Sequence, residues 1–130
     1  MIESTQCLLV DDDKDDQDIF LICIKKTGKN INCKILDSGV EAISYLLSKI
    51  EYTPEFIFLD VNMPKMNGIA SLKELKKIKR LEKTKIFMYS TTSGGSTSTK
   101  ALELGANDFI IKPVKTAELV NKLNQIFTTA

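Results

Sequence analysis

The sequence contains no histidine and no tryptophan. Without histidine there can be no Ser-His-Asp or Cys-His hydrolase and no His-ligated zinc site. Cysteine is scarce: Cys7, Cys23 and Cys33 are odd in number and form no C-x-x-C pair. That argues against a disulfide framework and for a reducing compartment such as the cytoplasm, with each thiol a small buried hydrophobe. Neither sign of charge dominates, since 18 Lys+Arg against 17 Asp+Glu leave a net +1. No electrostatic footprint for nucleic acid results, so no nucleic-acid partner is expected. No apolar run reaches the length of a membrane span, and Met1 to Val10 lacks the basic start and long apolar core of a signal peptide, so no membrane partner is expected. What is present suits one globular domain over residues 1–130, with 43% hydrophobic and 27% charged residues.

Short apolar runs alternate with helical patterns along the chain. Gln6 to Val10, Cys33 to Leu36, Phe56 to Leu59, Lys85 to Ser90 and Phe109 to Ile111 read as strands. Between them, Ile19, Phe20, Ile22 and Cys23 predict a helix stopping at Gly28, and Val40, Ile43, Leu46, Leu47 and Ile50 predict a second. Ile69, Leu72, Leu75 and Ile78 stripe a third, whose Lys73, Lys76, Lys77 and Lys79 read as a solvated face. Ala101, Leu102 and Leu104 belong to a short helix ended by Gly105. Thr116 is a fair N-cap for a last helix lined by Leu119, Val120, Leu123, Ile126 and Phe127. Five strands alternating with five helices imply right-handed crossovers and an α/β fold: a flavodoxin-like, doubly wound parallel sheet of order 2-1-3-4-5. Ligands of such sheets bind beyond the carboxyl ends of the strands, where strand order reverses.

The strand ends carry chemistry. The first runs into Asp11-Asp12-Asp13, the third into Asp60, the fourth into Ser90 and the fifth into Lys112. Crowded carboxylates repel unless a cation compensates. A hard divalent ion such as Mg²⁺ suits oxygen ligands and accepts phosphate oxygens. Ser90 can donate to an oxyanion and Lys112 supplies a compact positive charge. A carboxylate can also act as a nucleophile, giving an acyl phosphate. The set suits transfer of a phosphoryl group onto an aspartate.

LLVDDD at the first strand, FLDVNMPKMNG after the third, MYSTT at the fourth and FIIKP at the fifth resemble the receiver (response-regulator, CheY-like) domains of two-component signalling. The resemblance covers essentially the whole chain. It implies that Asp60 is the phospho-acceptor, and that Asp11, Asp12, Asp60 and the backbone carbonyl of Asn62 hold Mg²⁺. Ser90 is implied as the switch hydroxyl, Phe109 as the aromatic switch residue, and Lys112 as the partner first of Asp60 and then of the phosphate. A cis Lys112–Pro113 bond is also implied. Thr91 is bulkier than the residue many receivers carry there. Asp13, Asp15 and Asp16 add acid near the pocket, and Gly94-Gly95 predicts a mobile loop.

The expected function is therefore a stand-alone response regulator in a phosphorelay, with no output domain. A partner phosphohistidine, on a histidine kinase or a His-containing phosphotransfer protein, would donate to Asp60. The change would reach a surface built from helix 4, strand 5 and helix 5, which would bind a downstream protein target or a second copy as a homodimer. Such a protein is not an enzyme beyond its own phosphorylation and dephosphorylation. Two alternatives are a receiver-like interaction module that works without phosphorylation and an aspartyl-phosphate phosphatase of the haloacid-dehalogenase type. The latter is disfavoured by the short chain and by Val61-Asn62 after Asp60 in place of D-x-D.

Overall fold

Short apolar runs give this chain its strands, and each run proves to be one. The computed structural model describes residues 4–61, 63, 66–91 and 96–128. The strands are β1 (Thr5–Val10), β2 (Ile31–Leu36), β3 (Phe56–Asp60), β4 (Lys85–Ser90) and β5 (Asp108–Ile111), and the helices are α1 (Lys14–Lys26), α2 (Gly39–Ser48), α3 (Gly68–Leu75), α4 (Ser96–Glu103) and α5 (Thr116–Thr128). All pairings are parallel and the order is β2-β1-β3-β4-β5. Fold class and strand order agree with the expectation.

β3 is the central strand and is buried along its whole length, as a strand covered on both faces must be. Alternation sorts the side chains onto two faces. Cys7, Leu9, Phe56, Phe58, Phe87, Tyr89 and Ile110 pack under α1 and α5, whereas Leu8, Val10, Ile57, Leu59, Ile86 and Met88 pack under α2, α3 and α4.

Local chemistry fixes the helix ends. Asp13 caps α1 by accepting from the Asp16 N–H at 3.1 Å, and Ser38 caps α2 through the Glu41 N–H at 3.1 Å. Gly28, just past α1, takes φ +71°, a conformation that costs glycine little. Arg80 closes the other end of α2 through the carbonyls of Leu46, Lys49 and Tyr52. The third helix stops at Leu75, not at Ile78 as its apolar stripe suggested. Lys76 caps it, and a 3₁₀ turn at Lys79–Leu81 follows, burying Leu81 in place of a further α-helical turn. The lysines of that stretch are exposed, as expected. The α2 stripe is only half used: Ala42 and Leu46 are buried, but Val40, Leu47 and Ile50 face solvent. No helix among the described residues is long and apolar enough to cross a membrane.

Candidate functional site

Register builds the site. Val10 pairs with Leu59, so the next residues, Asp11 and Asp60, stand side by side beyond the β1 and β3 carboxyl ends. β1 and β3 are also the strands between which the order reverses, where doubly wound sheets place their ligands. Asp11 continues the parity of Leu9, and Asp60 that of Phe58, so both leave the sheet on the α1/α5 face. Lys112 has the parity of Ile110 and joins them from β5. Its backbone N–H is tied to the Ser90 carbonyl at 2.6 Å. Ser90 and Phe109 share the parity of Met88 and leave on the α4 face.

The contacts follow this arrangement. Asp11 and Ser90 are completely buried and Asp60 nearly so, while Asp12 is exposed. One carboxylate oxygen each from Asp11, Asp12 and Asp60 lies within 4.8 Å of the others. Lys112 Nζ donates to Asp11 Oδ2 at 2.8 Å and to Asp16 Oδ2 at 2.7 Å, and stands 3.8 Å from Asp60 Oδ1. Asp60 is thus an ion-pair partner of Lys112, with Asp11 and Asp16 standing closer. Burial alone would pull the Lys112 pKa down, but the hydrogen bonds to Asp11 and Asp16 outweigh it and hold the amine above its ordinary value. Nζ also lies 5.1 Å above the centre of the Tyr89 ring. Burial raises the Tyr89 phenol, and the negative field of Asp16 and Asp11 adds to the shift.

Supporting groups hold the acids in place. The Asp13 N–H donates to Asp11 Oδ1 at 3.0 Å. Gln17, buried on α1, donates through Nε2 to the Asp11 carbonyl at 2.6 Å and to Asp37 Oδ1 at 2.9 Å. The ion pair with Lys14, reinforced by Gln17, keeps the Asp37 carboxyl below the usual carboxylate range. At the other side of the pocket, Gly68 is required by close approach: a Cβ there would fall 2.5 Å from the Asp60 carbonyl oxygen.

Most expected residues are brought together: Asp11, Asp12, Asp60 and Lys112 meet, with Ser90 at the adjoining strand end. Phe109 is half-buried against the α2/α3/α4 layer. Asn62 and the Gly94-Gly95 pair lie outside the described residues. The cis bond at Pro113 is corrected: the described residues contain no cis peptide, so Lys112–Pro113 is trans. Trans is favoured at X–Pro bonds by about 0.5–1 kcal/mol, and Lys112 reaches its acidic partners in that isomer. Two contributors escaped the sequence reading, the Asp16–Lys112 pair and Gln17. Gln17 had a legible signal, because it falls one turn before Phe20 on the buried stripe of α1, where a polar side chain needs an internal partner.

A doubly wound parallel sheet with carboxylates and a lysine at its switch point defines an α/β protein whose ligand site lies beyond the strand ends. The particular family follows from comparison. The response regulator receiver domain family matches residues 7–124, and the chain belongs to it. Response regulator SaeR of Staphylococcus aureus is 35% identical over 124 residues, covering 95% of this chain and 51% of that protein. The chain spans about half the length, or less, of the curated relatives it matches. The crystal structure of the phosphorylated cyanobacterial phytochrome response regulator RcpA superposes with a TM-score of 0.88 at 24% identity, covering 98% of this chain and 97% of that one. The Mn²⁺-bound form of response regulator Rcp1 gives 0.81 at 26% identity, covering 95% and 92%. The chain is thus a response regulator receiver domain of two-component signalling, a family of signalling modules.

Proposed function

We propose that Asp60 accepts a phosphoryl group from a phosphohistidine of a partner histidine kinase or phosphotransfer protein, and that the chain works as the receiver of a phosphorelay. The observation that carries this reading is the meeting of Asp11, Asp12, Asp60 and Lys112 at the switch point of the sheet. In the transfer, an Asp60 carboxylate oxygen attacks phosphorus, the O–P bond forms and the P–N bond to imidazole breaks. The imidazole leaves with its electron pair and takes a proton from solvent. The donor histidine lies outside this sequence, which has none.

The donor set suits a magnesium ion: three carboxylates with close oxygens are hard ligands, and a relative has been solved with Mn²⁺. Asp11, Asp12 and Asp60 would hold the ion, with Asn62 through its carbonyl. When bound, it neutralises charge on the phosphoryl oxygens. Lys112 offers the phosphoryl group a charge-assisted donor from the β5 side, and Ser90 a hydroxyl from β4. Ser90 shares its face with Phe109, which supports a route by which the added charge moves the aromatic ring. Leu102, Ile111 and Val114 leave apolar surface exposed on α4, on β5 and before α5, a face suited to a protein target or a second copy.

Incubation of the purified protein with a small acyl phosphate and Mg²⁺, read by intact mass, tests the proposal. One phosphoryl group should be added, and none in Asp60→Asn. Equal labelling of the two proteins overturns it.

A further inference from the structure

Lys112 has a partner that the phospho-acceptor reading does not require. Its ammonium donates to two carboxylates, Asp11 at 2.8 Å and Asp16 at 2.7 Å, while Asp60 at 3.8 Å lies beyond hydrogen-bond length. Asp16 comes from no strand end. It sits in the first turn of α1, half-buried, with its own N–H held by the capping carboxylate of Asp13. The cap that starts the helix thus sets the turn from which Asp16 reaches across to Lys112.

This geometry has a consequence for any anion placed on Asp60. Of the three donors on Nζ, Asp11 and Asp16 take two, so Asp16 competes with an anion on Asp60 for the position and charge of the ammonium. Asp16 also contributes a negative charge that opposes an incoming anion. Both effects have the same sign. We propose that Asp16 is a positioning residue that restrains Lys112 in the unmodified protein and so lowers the affinity of the pocket for a phosphoryl group. The proposal rests on the phospho-acceptor reading and adds to it the residue that sets its poise.

A structural role for Asp16 and a restraining one predict opposite outcomes. Loss of a supporting contact weakens anion binding, whereas loss of a competitor strengthens it. The test is a beryllofluoride titration at saturating Mg²⁺, followed by NMR, on the full chain. Asp16→Asn should bind beryllofluoride about five-fold more tightly, equivalent to about 1 kcal/mol. Asp15→Asn makes the same charge change one residue away, at an exposed position, and should stay within about two-fold of the unaltered protein because exposed charges are screened. Asp16→Ala must act in the same direction as Asp16→Asn, which guards against a disturbed first turn in either variant. Unchanged or weaker binding in both Asp16 variants overturns the proposal, as does equal tightening by Asp15→Asn, which reduces the effect to bulk charge. If the unaltered protein fails to bind beryllofluoride at all, the phospho-acceptor reading falls and this proposal with it. Binding by the unaltered protein with no gain in the variants overturns the proposal alone.

Discussion

The two faces of the sheet are built from different materials. Under α1 and α5 lie six aromatic rings, Phe20, Phe56, Phe58, Phe87, Tyr89 and Phe127, and their centroids meet at 5.0 Å for Phe20–Phe58 and 5.3 Å for Phe58–Phe87. Under α2, α3 and α4 the buried residues are aliphatic, with Met63, Met88, Ala42, Ala101 and Ala106 among them. Asp11, Asp60 and Lys112 leave the aromatic face, Ser90 and Phe109 the aliphatic one. Interlocked rings have few rotamers and geometric preferences of their own, so they suit the side where acids must be held at fixed separations. Methionine and alanine leave room for repacking, which suits the side proposed to respond.

The largest expected effect that sharpens this contrast is in the cores. Phe58→Ala should cost about 3–5 kcal/mol, because its ring touches three other elements through Phe20, Phe87 and Phe127. Met88→Leu, at the matching depth of the other face, should cost under about 1.5 kcal/mol. Denaturant midpoints measure both, and equal losses would erase the distinction between the faces.

Next in size is the ionic edge. Lys112→Met leaves buried Asp11 and Asp60 without that cation and should lower stability by about 1–3 kcal/mol in the absence of divalent ions. The pH dependence gives the sign. The Lys112 pKa is higher in the fold than in the unfolded chain, so its stabilisation is complete below the ordinary lysine value of about 10.4. It is lost as pH rises through the raised value. Urea midpoints across the alkaline range should therefore fall more steeply for the unaltered protein than for Lys112→Met.

The smallest effect lies at the rim of the aliphatic face. The Tyr52 hydroxyl is buried with no hydrogen-bond partner among the described residues, although its ring packs edge-on to Tyr45 at 5.5 Å. Tyr52→Phe keeps the ring and removes the unsatisfied group, and should raise stability by up to about 1 kcal/mol in the same denaturation assay.

Much of this was legible in the sequence, for reasons that differ by element. β3 and β4 could be read because a strand buried on both faces tolerates little but apolar residues, and Lys85 to Ser90 has the bounds expected. The strand-end residues could be read once parallel order was inferred, because parallel register carries every carboxyl end to the same edge. The apolar stripe runs past the end of α3, because Ile78 keeps the helical spacing while the chain has turned to bury Leu81. The Asp16–Lys112 pair joins residues 96 positions apart and depends on the helix phase after Asp13, which spacing along the chain does not encode. The trans bond at Pro113 departs from the family resemblance, not from any property read off this chain's own residues.

On the proposed function, the edge holding Asp11, Asp12 and Lys112 lets Asp60 carry a phosphoryl group. Peptide mapping after treatment with a small acyl phosphate addresses it most directly, with and without a chelator. A single modified peptide, with the phosphoryl group on Asp60 and formed only when Mg²⁺ is present, is the predicted result. A phosphoryl group found on another residue, or labelling of Asp60 that ignores the chelator, would contradict it.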